Sequence, residues 1–144
     1  MLDDLSWTGG PLVGGSGWPT APVVLVDLDR EIGPAELGRA TRAAGAGDRL
    51  LLGVATRPLR AELAELVDAL DLTLAPSTEP ATSTEPAPST EPAGPGAARA
   101  VVEVADPAAE AAVLRATAEQ HPQASVVLAA LLRATEHSPV RAAL

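Results

Sequence analysis

Val23-Val-Leu-Val-Asp-Leu28 is an aliphatic run with one polar interruption near its end, followed directly by Asp29. A strand with one solvated face alternates apolar and polar residues. A strand that is apolar nearly throughout has both faces covered, which is the condition of a strand in a parallel sheet. Parallel strands need a crossover, and the next residues supply one. Gly33-Pro34 opens a helix, with Pro34 pre-setting its first turn and Leu37, Ala40, Thr41 and Ala44 on one face, and Gly45 and Gly47 close it. Leu50-Leu-Leu-Gly-Val-Ala55 is then a second buried strand. The expected fold class is α/β: a mainly parallel sheet with flanking helices.

The pattern continues outward from this unit. Leu63, Leu66, Val67 and Leu70 recur at helical spacing within a segment running from Ala61 to Leu70, and Leu72 to Ala75 forms a short third strand ending at Pro76. Residues 77–98 carry Ser-Thr-Glu-Pro-Ala three times at a six-residue period. With nothing apolar to bury and proline in every repeat, this stretch reads as a disordered, solvated linker, an expansion tolerated in a surface loop. Ala100 to Ala105 is a fourth strand, and Asp106-Pro107 caps and starts a helix that places Ala109, Ala112, Val113 and Ala116 on one face. His121-Pro122 breaks it. A final helix follows with Ala124, Val127, Leu128 and Leu131 on its expected buried side. Upstream, residues 1–21 form an irregular Gly/Pro-rich lead-in with Trp18 tucked against the domain, so that 22–76 and 99–144 are the two parts of one α/β domain.

Composition narrows the function. The 144 residues contain no cysteine, which removes disulfides, thiolate metal sites and cysteine nucleophiles. All ten basic residues are arginine, scattered singly, and the net charge is −9, so a nucleic acid partner is not expected. Without lysine there is no Schiff-base chemistry. Trp7 and Trp18 are the only aromatic residues, which leaves no stacking platform for a base or flavin ring. The start is acidic where a signal peptide is basic, and no apolar run approaches membrane-spanning length, so a cytoplasmic protein without membrane contact is expected.

Candidate chemistry gathers at the ends of the strands. Asp27 and Asp29, two apart, point to one side at the edge where parallel sheets bind ligands. Val-Leu-Val-Asp-Leu-Asp resembles the first motif of the haloacid dehalogenase-like phosphatases, and Thr56 resembles their second. That resemblance implies a nucleophilic Asp27, an acid/base Asp29 and Mg²⁺ between them. The family's lysine has no counterpart here, and Asp106 stands alone where the family shows an acidic pair; otherwise Asp27 and Asp29 are turn and capping residues. Arg57 could meet an anion at the same edge. His121 and His137 have no Ser or Asp at a telling spacing and read as surface or capping residues. The glycines before the first strand form no phosphate-binding fingerprint.

A wider resemblance covers most of the ordered chain. Pro-Val-Val-Leu-Val-Asp-Leu-Asp at 22–29, Asp-Arg-Leu-Leu-Leu-Gly-Val-Ala at 48–55 and Leu-Asp-Leu-Thr-Leu-Ala at 70–75 resemble actinobacterial members of the enoyl-CoA hydratase/isomerase, or crotonase-like, family. So does Ala-Asp-Pro-Ala-Ala-Glu at 105–110 leading to His-Pro-Gln-Ala-Ser-Val-Val-Leu-Ala-Ala-Leu-Leu-Arg at 121–133. The resemblance implies a reduced crotonase-like fold, an acyl-CoA thioester as ligand, an oxyanion hole of two backbone N–H groups, and room for an oligomer. Neither Gly-rich oxyanion segment is present: Ala55-Thr-Arg-Pro58 stands at the first, and the Ser-Thr-Glu-Pro repeat at the second. No catalytic or cofactor-binding residue carries over, and no metal or cofactor is implied. The expectation is a divergent member with activity reduced or absent. Two alternatives stand beside it: an Mg-dependent phosphatase using Asp27 and Asp29, and a non-catalytic interaction module, whose mark would be an exposed apolar face on the final helix.

Overall fold

A computed structural model describes residue 13 and residues 15–77 and 101–135. The Ser-Thr-Glu-Pro repeat beyond Ser77 and His137 lie outside the described residues. Four strands, β1 (Val23–Asp27), β2 (Leu50–Val54), β3 (Leu72–Pro76) and β4 (Val101–Val104), form one sheet in the order β1-β2-β3-β4, every neighbouring pair parallel. Helix α1 (Pro34–Gly45) connects β1 to β2. A 3₁₀ turn at Ala61–Leu63 running into α2 (Ala64–Ala69) connects β2 to β3. Helices α3 (Pro107–Gln120) and α4 (Pro122–Thr135) follow β4.

The sheet is the middle of three layers. Val24, Val26, Leu28, Leu51 and Ala55 pack under Ala40 and Ala44 of α1 and under Leu63, Leu66, Val67 and Leu70. Val23, Leu25, Leu52, Val54 and Leu74 pack on the other side, against Ala111 and Ala118 of α3. The alternation of β1 residues between the two clusters is why its sequence is aliphatic on consecutive positions: each face has its own helix layer. The α1 and α2 crossovers lie on one face, as sequential strand order with a single handedness of crossover requires.

Gly53 fixes the spacing of the first layer. A Cβ placed there would lie 2.7 Å from Leu70 Cδ1, 2.9 Å from Thr73 Oγ1 and 3.0 Å from Leu28 Cδ1. Only a residue without a side chain lets α2 and the adjoining strand ends close over β2 at that point.

Three expectations are corrected. Trp18 is not tucked in but 56% exposed. On α3 the buried residues are Pro107, Ala111 and Ala118, a different face from Ala109, Ala112, Val113 and Ala116, which are all exposed. On α4 the inward positions are Ser125, Ala129 and the partly covered Arg133, while Ala124, Val127, Leu128 and Leu131 face solvent. The α1 face and the Leu63-Leu66-Val67-Leu70 stripe fall where their periodicity puts them. Among the described residues no helix is long and apolar enough to cross a membrane.

Candidate functional site

Two places carry more than packing: the C-terminal edge of β1 and β2, and the outer side of α4.

At the sheet edge the structure brings Asp27, Asp29, Thr56 and Arg57 together, because β1 and β2 are neighbours and both chains turn there. Asp27 Oδ1 accepts the N–H of Asp29 at 2.9 Å, an Asx-type bend that turns the chain out of the strand. Asp29 is held from across the gap. Its Oδ2 accepts Thr56 N–H at 2.8 Å and Thr56 Oγ1–H at 2.6 Å, and its Oδ1 accepts Arg57 N–H at 3.2 Å. Burial is the largest single influence on Asp29 and acts to raise its pKa. The Thr56 and Arg57 hydrogen bonds and the Arg57 charge together outweigh it, and the carboxyl sits below its ordinary value of 3.8.

This geometry has a chemical consequence. A general acid must hold a proton near neutral pH, and the hydrogen bonds to Asp29 stabilise its ionised form. Thr56 and Arg57 also lie in the Ala55-to-Pro58 segment, where the crotonase-like resemblance would put the first oxyanion contact. Both of their backbone N–H groups already donate to an internal carboxylate. Asp106 is occupied as the N-cap of α3, accepting Ala109 N–H at 3.0 Å. His121 ends α3, its N–H bonded to the carbonyls of Thr117 and Ala118 and its own carbonyl accepting from Ser125. Among the described residues no group of three or more His, Asp or Glu converges on a metal position.

Between α3 and the ends of β1 and β2 lies an apolar cleft of about 280 Å³, floored by Leu25 and Val54, walled by α3 alanines, with Thr56 and Arg115 at its rim. It exists because alanine side chains on α3 leave room above the sheet. Arg115 Nε donates to Glu119 at 3.0 Å. Small-molecule sites begin near this size.

Helix α4 is set by its last turn. Arg133 Nε and Nη2 donate to Asp71 Oδ1 and Oδ2 at 3.0 and 2.7 Å, and its Nη1 and Nη2 also donate to the carbonyls of Gly47 and Arg49. The Asp71 side chain has no solvent exposure and also accepts Leu51 N–H at 2.8 Å. One guanidinium thus ties α4 to the start of β2 and to the turn before β3. Neither Asp71 nor Arg133 stands out as a site residue in the sequence. The available signals were an aspartate enclosed by Leu70 and Leu72, and Arg133 as the sole charged side chain of α4, on the face of Ser125 and Ala129 at four-residue spacing. With that face turned inward, Val127 (57% exposed), Leu128 (48%), Leu131 (57%) and Leu132 (38%) form an apolar stripe on the outside.

The chain matches no protein-family model, no curated protein and no solved structure.

Proposed function

We propose that this domain is a non-catalytic interaction module whose contact surface is the outer face of α4. The observation that carries the reading is the exposure of Val127, Leu128, Leu131 and Leu132 on a helix whose inward face is small and polar. The candidate catalytic groups at the sheet edge point the same way, since Asp29 is engaged by Thr56 and Arg57 and Asp106 by a helix terminus. The test is Leu128→Glu at low protein concentration. On a half-exposed face it should cost no more than about 1.5 kcal/mol of stability, leave the domain folded, and reduce the fluorescence of a bound apolar dye. Loss of folding in that variant would mean that the helix face belongs to the core, and would end the proposal.

The crotonase-like resemblance is retained as a second proposal: a divergent member of that family, residing in the cytoplasm, its activity reduced or absent, with the cleft beside α3 as the place for an acyl chain. The cleft supports it. The strand–helix–strand–helix–strand order of β1 to β3 is less favourable, because the family's core repeats two strands and a helix. A thermal-unfolding series separates the readings, because a ligand at a hundred times its Kd adds about 2.7 kcal/mol of stability. A greater shift with crotonyl-CoA than with free CoA would favour the acyl-CoA reading. A shift only with Mg²⁺ and a phosphate analogue would favour a phosphatase built on Asp27 and Asp29, the reading that the meeting of Asp29 with Thr56 supports. The interaction module should shift with none of them.

A further inference from the structure

We infer that the partner of the α4 face is a second copy of this chain, paired α4 to α4 about a two-fold axis. The inference rests on the reading of that face as a contact surface.

Charge is the first argument. The chain carries a net charge of −9, so two copies repel wherever their ordinary surfaces meet. An approach over α2 brings Glu62, Glu65 and Asp68 against their own images, and all three are exposed. The α4 segment Pro122–Thr135 has no acidic residue, and its one cation, Arg133, is turned inward onto Asp71. This side of α4 is uncharged, and two such faces can meet without opposing like charges. A charged partner would find no counter-charge there.

Shape and area are the second. Ala124, Val127, Leu128, Leu131 and Ala134 recur at spacings of three, one, three and three, a stripe along one side of about three helical turns, with Leu132 beside Leu128. An isologous contact needs a surface that complements itself, and an apolar stripe flanked by small residues does so in either helix direction. Given their exposures, the four large side chains offer about 350 Å² per copy, and with the exposed alanines a pair reaches the roughly 1,000 Å² at which specific interfaces begin. An area at that lower bound suits a reversible dimer whose population depends on protein concentration.

The test is sedimentation equilibrium of the full chain across a concentration series, with Leu128→Glu and Val113→Glu as variants. Val113 is the comparably exposed apolar residue of α3, at 61%. The parent is expected to rise from 14.5 kDa toward twice that mass, Val113→Glu to follow it, and Leu128→Glu to remain monomeric with unchanged circular dichroism. A parent that stays monomeric throughout, while Leu128→Glu remains folded, overturns the second copy as partner and leaves the exposed face standing. A dimer that survives Leu128→Glu overturns the α4 pairing. An unfolded Leu128→Glu variant overturns the underlying reading of the face instead.

Discussion

Replacing Arg133 by methionine tests the contact that decides which way α4 faces. Methionine keeps most of the side-chain volume and removes the guanidinium. Four hydrogen bonds are lost together: two to the fully enclosed Asp71 carboxylate, and one each to the carbonyls of Gly47 and Arg49. Asp71 is left with Leu51 N–H as its remaining partner among these contacts. Removing one member of a buried ion pair costs about 3–5 kcal/mol, and since Arg133 is 20% exposed the lower end applies, about 3 kcal/mol. For a domain of this size that is a fall in Tm of about 15 °C. Urea unfolding of Arg133→Met, Asp71→Asn and the double variant gives the coupling. Asparagine can still accept Leu51 N–H, so the double variant should recover about 2 kcal/mol relative to additivity, and high salt should change little because the pair is enclosed. A loss below about 1 kcal/mol for Arg133→Met, or simple additivity in the double variant, would refute the claim that this pair holds α4.

Three further substitutions probe the layers beneath. Gly53→Ala should destabilise by about 1–3 kcal/mol in urea melts, because the new methyl meets Leu70, Thr73 and Leu28 within 3.0 Å and all three are enclosed; a neutral result would mean that the α2 layer moves freely. Thr73→Val should stabilise by about 1 kcal/mol, since the buried Thr73 hydroxyl has no hydrogen-bond partner among the described residues and valine has nearly the same shape; calorimetry showing a loss would point to a bound water satisfying it. Asp29 has a folded pKa below 3.8, so the stability it contributes is fully present above that value and is lost as pH falls through the lower folded one. Because the carboxylate is largely solvated the effect should stay under about 1 kcal/mol, and Asp29→Asn should flatten this part of the urea-midpoint profile between pH 5 and pH 2.

The sheet and its first helix layer were legible because their signals are redundant. Val23 to Leu28 and Leu50 to Ala55 are apolar on both faces, and the Leu63-Leu66-Val67-Leu70 stripe has no competing apolar side, so periodicity alone identifies the buried positions. Helices α3 and α4 were legible as helices but not in their rotation. On α3 alanines fall on every side of the helix, so a shift from the Ala109-Ala112 face to the Pro107-Ala111-Ala118 face changes little apolar area. The Asp29 site was half legible: the two-residue spacing placed both carboxylates at the sheet edge. The engagement of Asp29 by Thr56 and Arg57 depends on β2 lying beside β1, which no local pattern states.

For α4 the competition is between quantities of similar size. Fully burying a valine or leucine side chain is worth about 1.5–3 kcal/mol, and Val127, Leu128, Leu131 and Leu132 are already about half covered. Turning the stripe toward the sheet would therefore gain about 3–6 kcal/mol, of the same order as the loss on removing the Arg133 contacts, and would take the guanidinium away from Asp71 and two carbonyls. Small inward residues favour the observed choice, because Ser125 and Ala129 let the helix approach β2 and α3 closely, with Ser125 Oγ–H reaching the Ala118 and His121 carbonyls. The leucines of α4 thus give only about half of their apolar surface to folding in the orientation that the arginine enforces. Their apolar area is held on the surface by a polar lock, available to whatever meets that face. If the lock and the surface are coupled in this way, Arg133→Met should weaken self-association as well as stability, while Thr73→Val, which leaves the Arg133 contacts in place, should leave association unchanged.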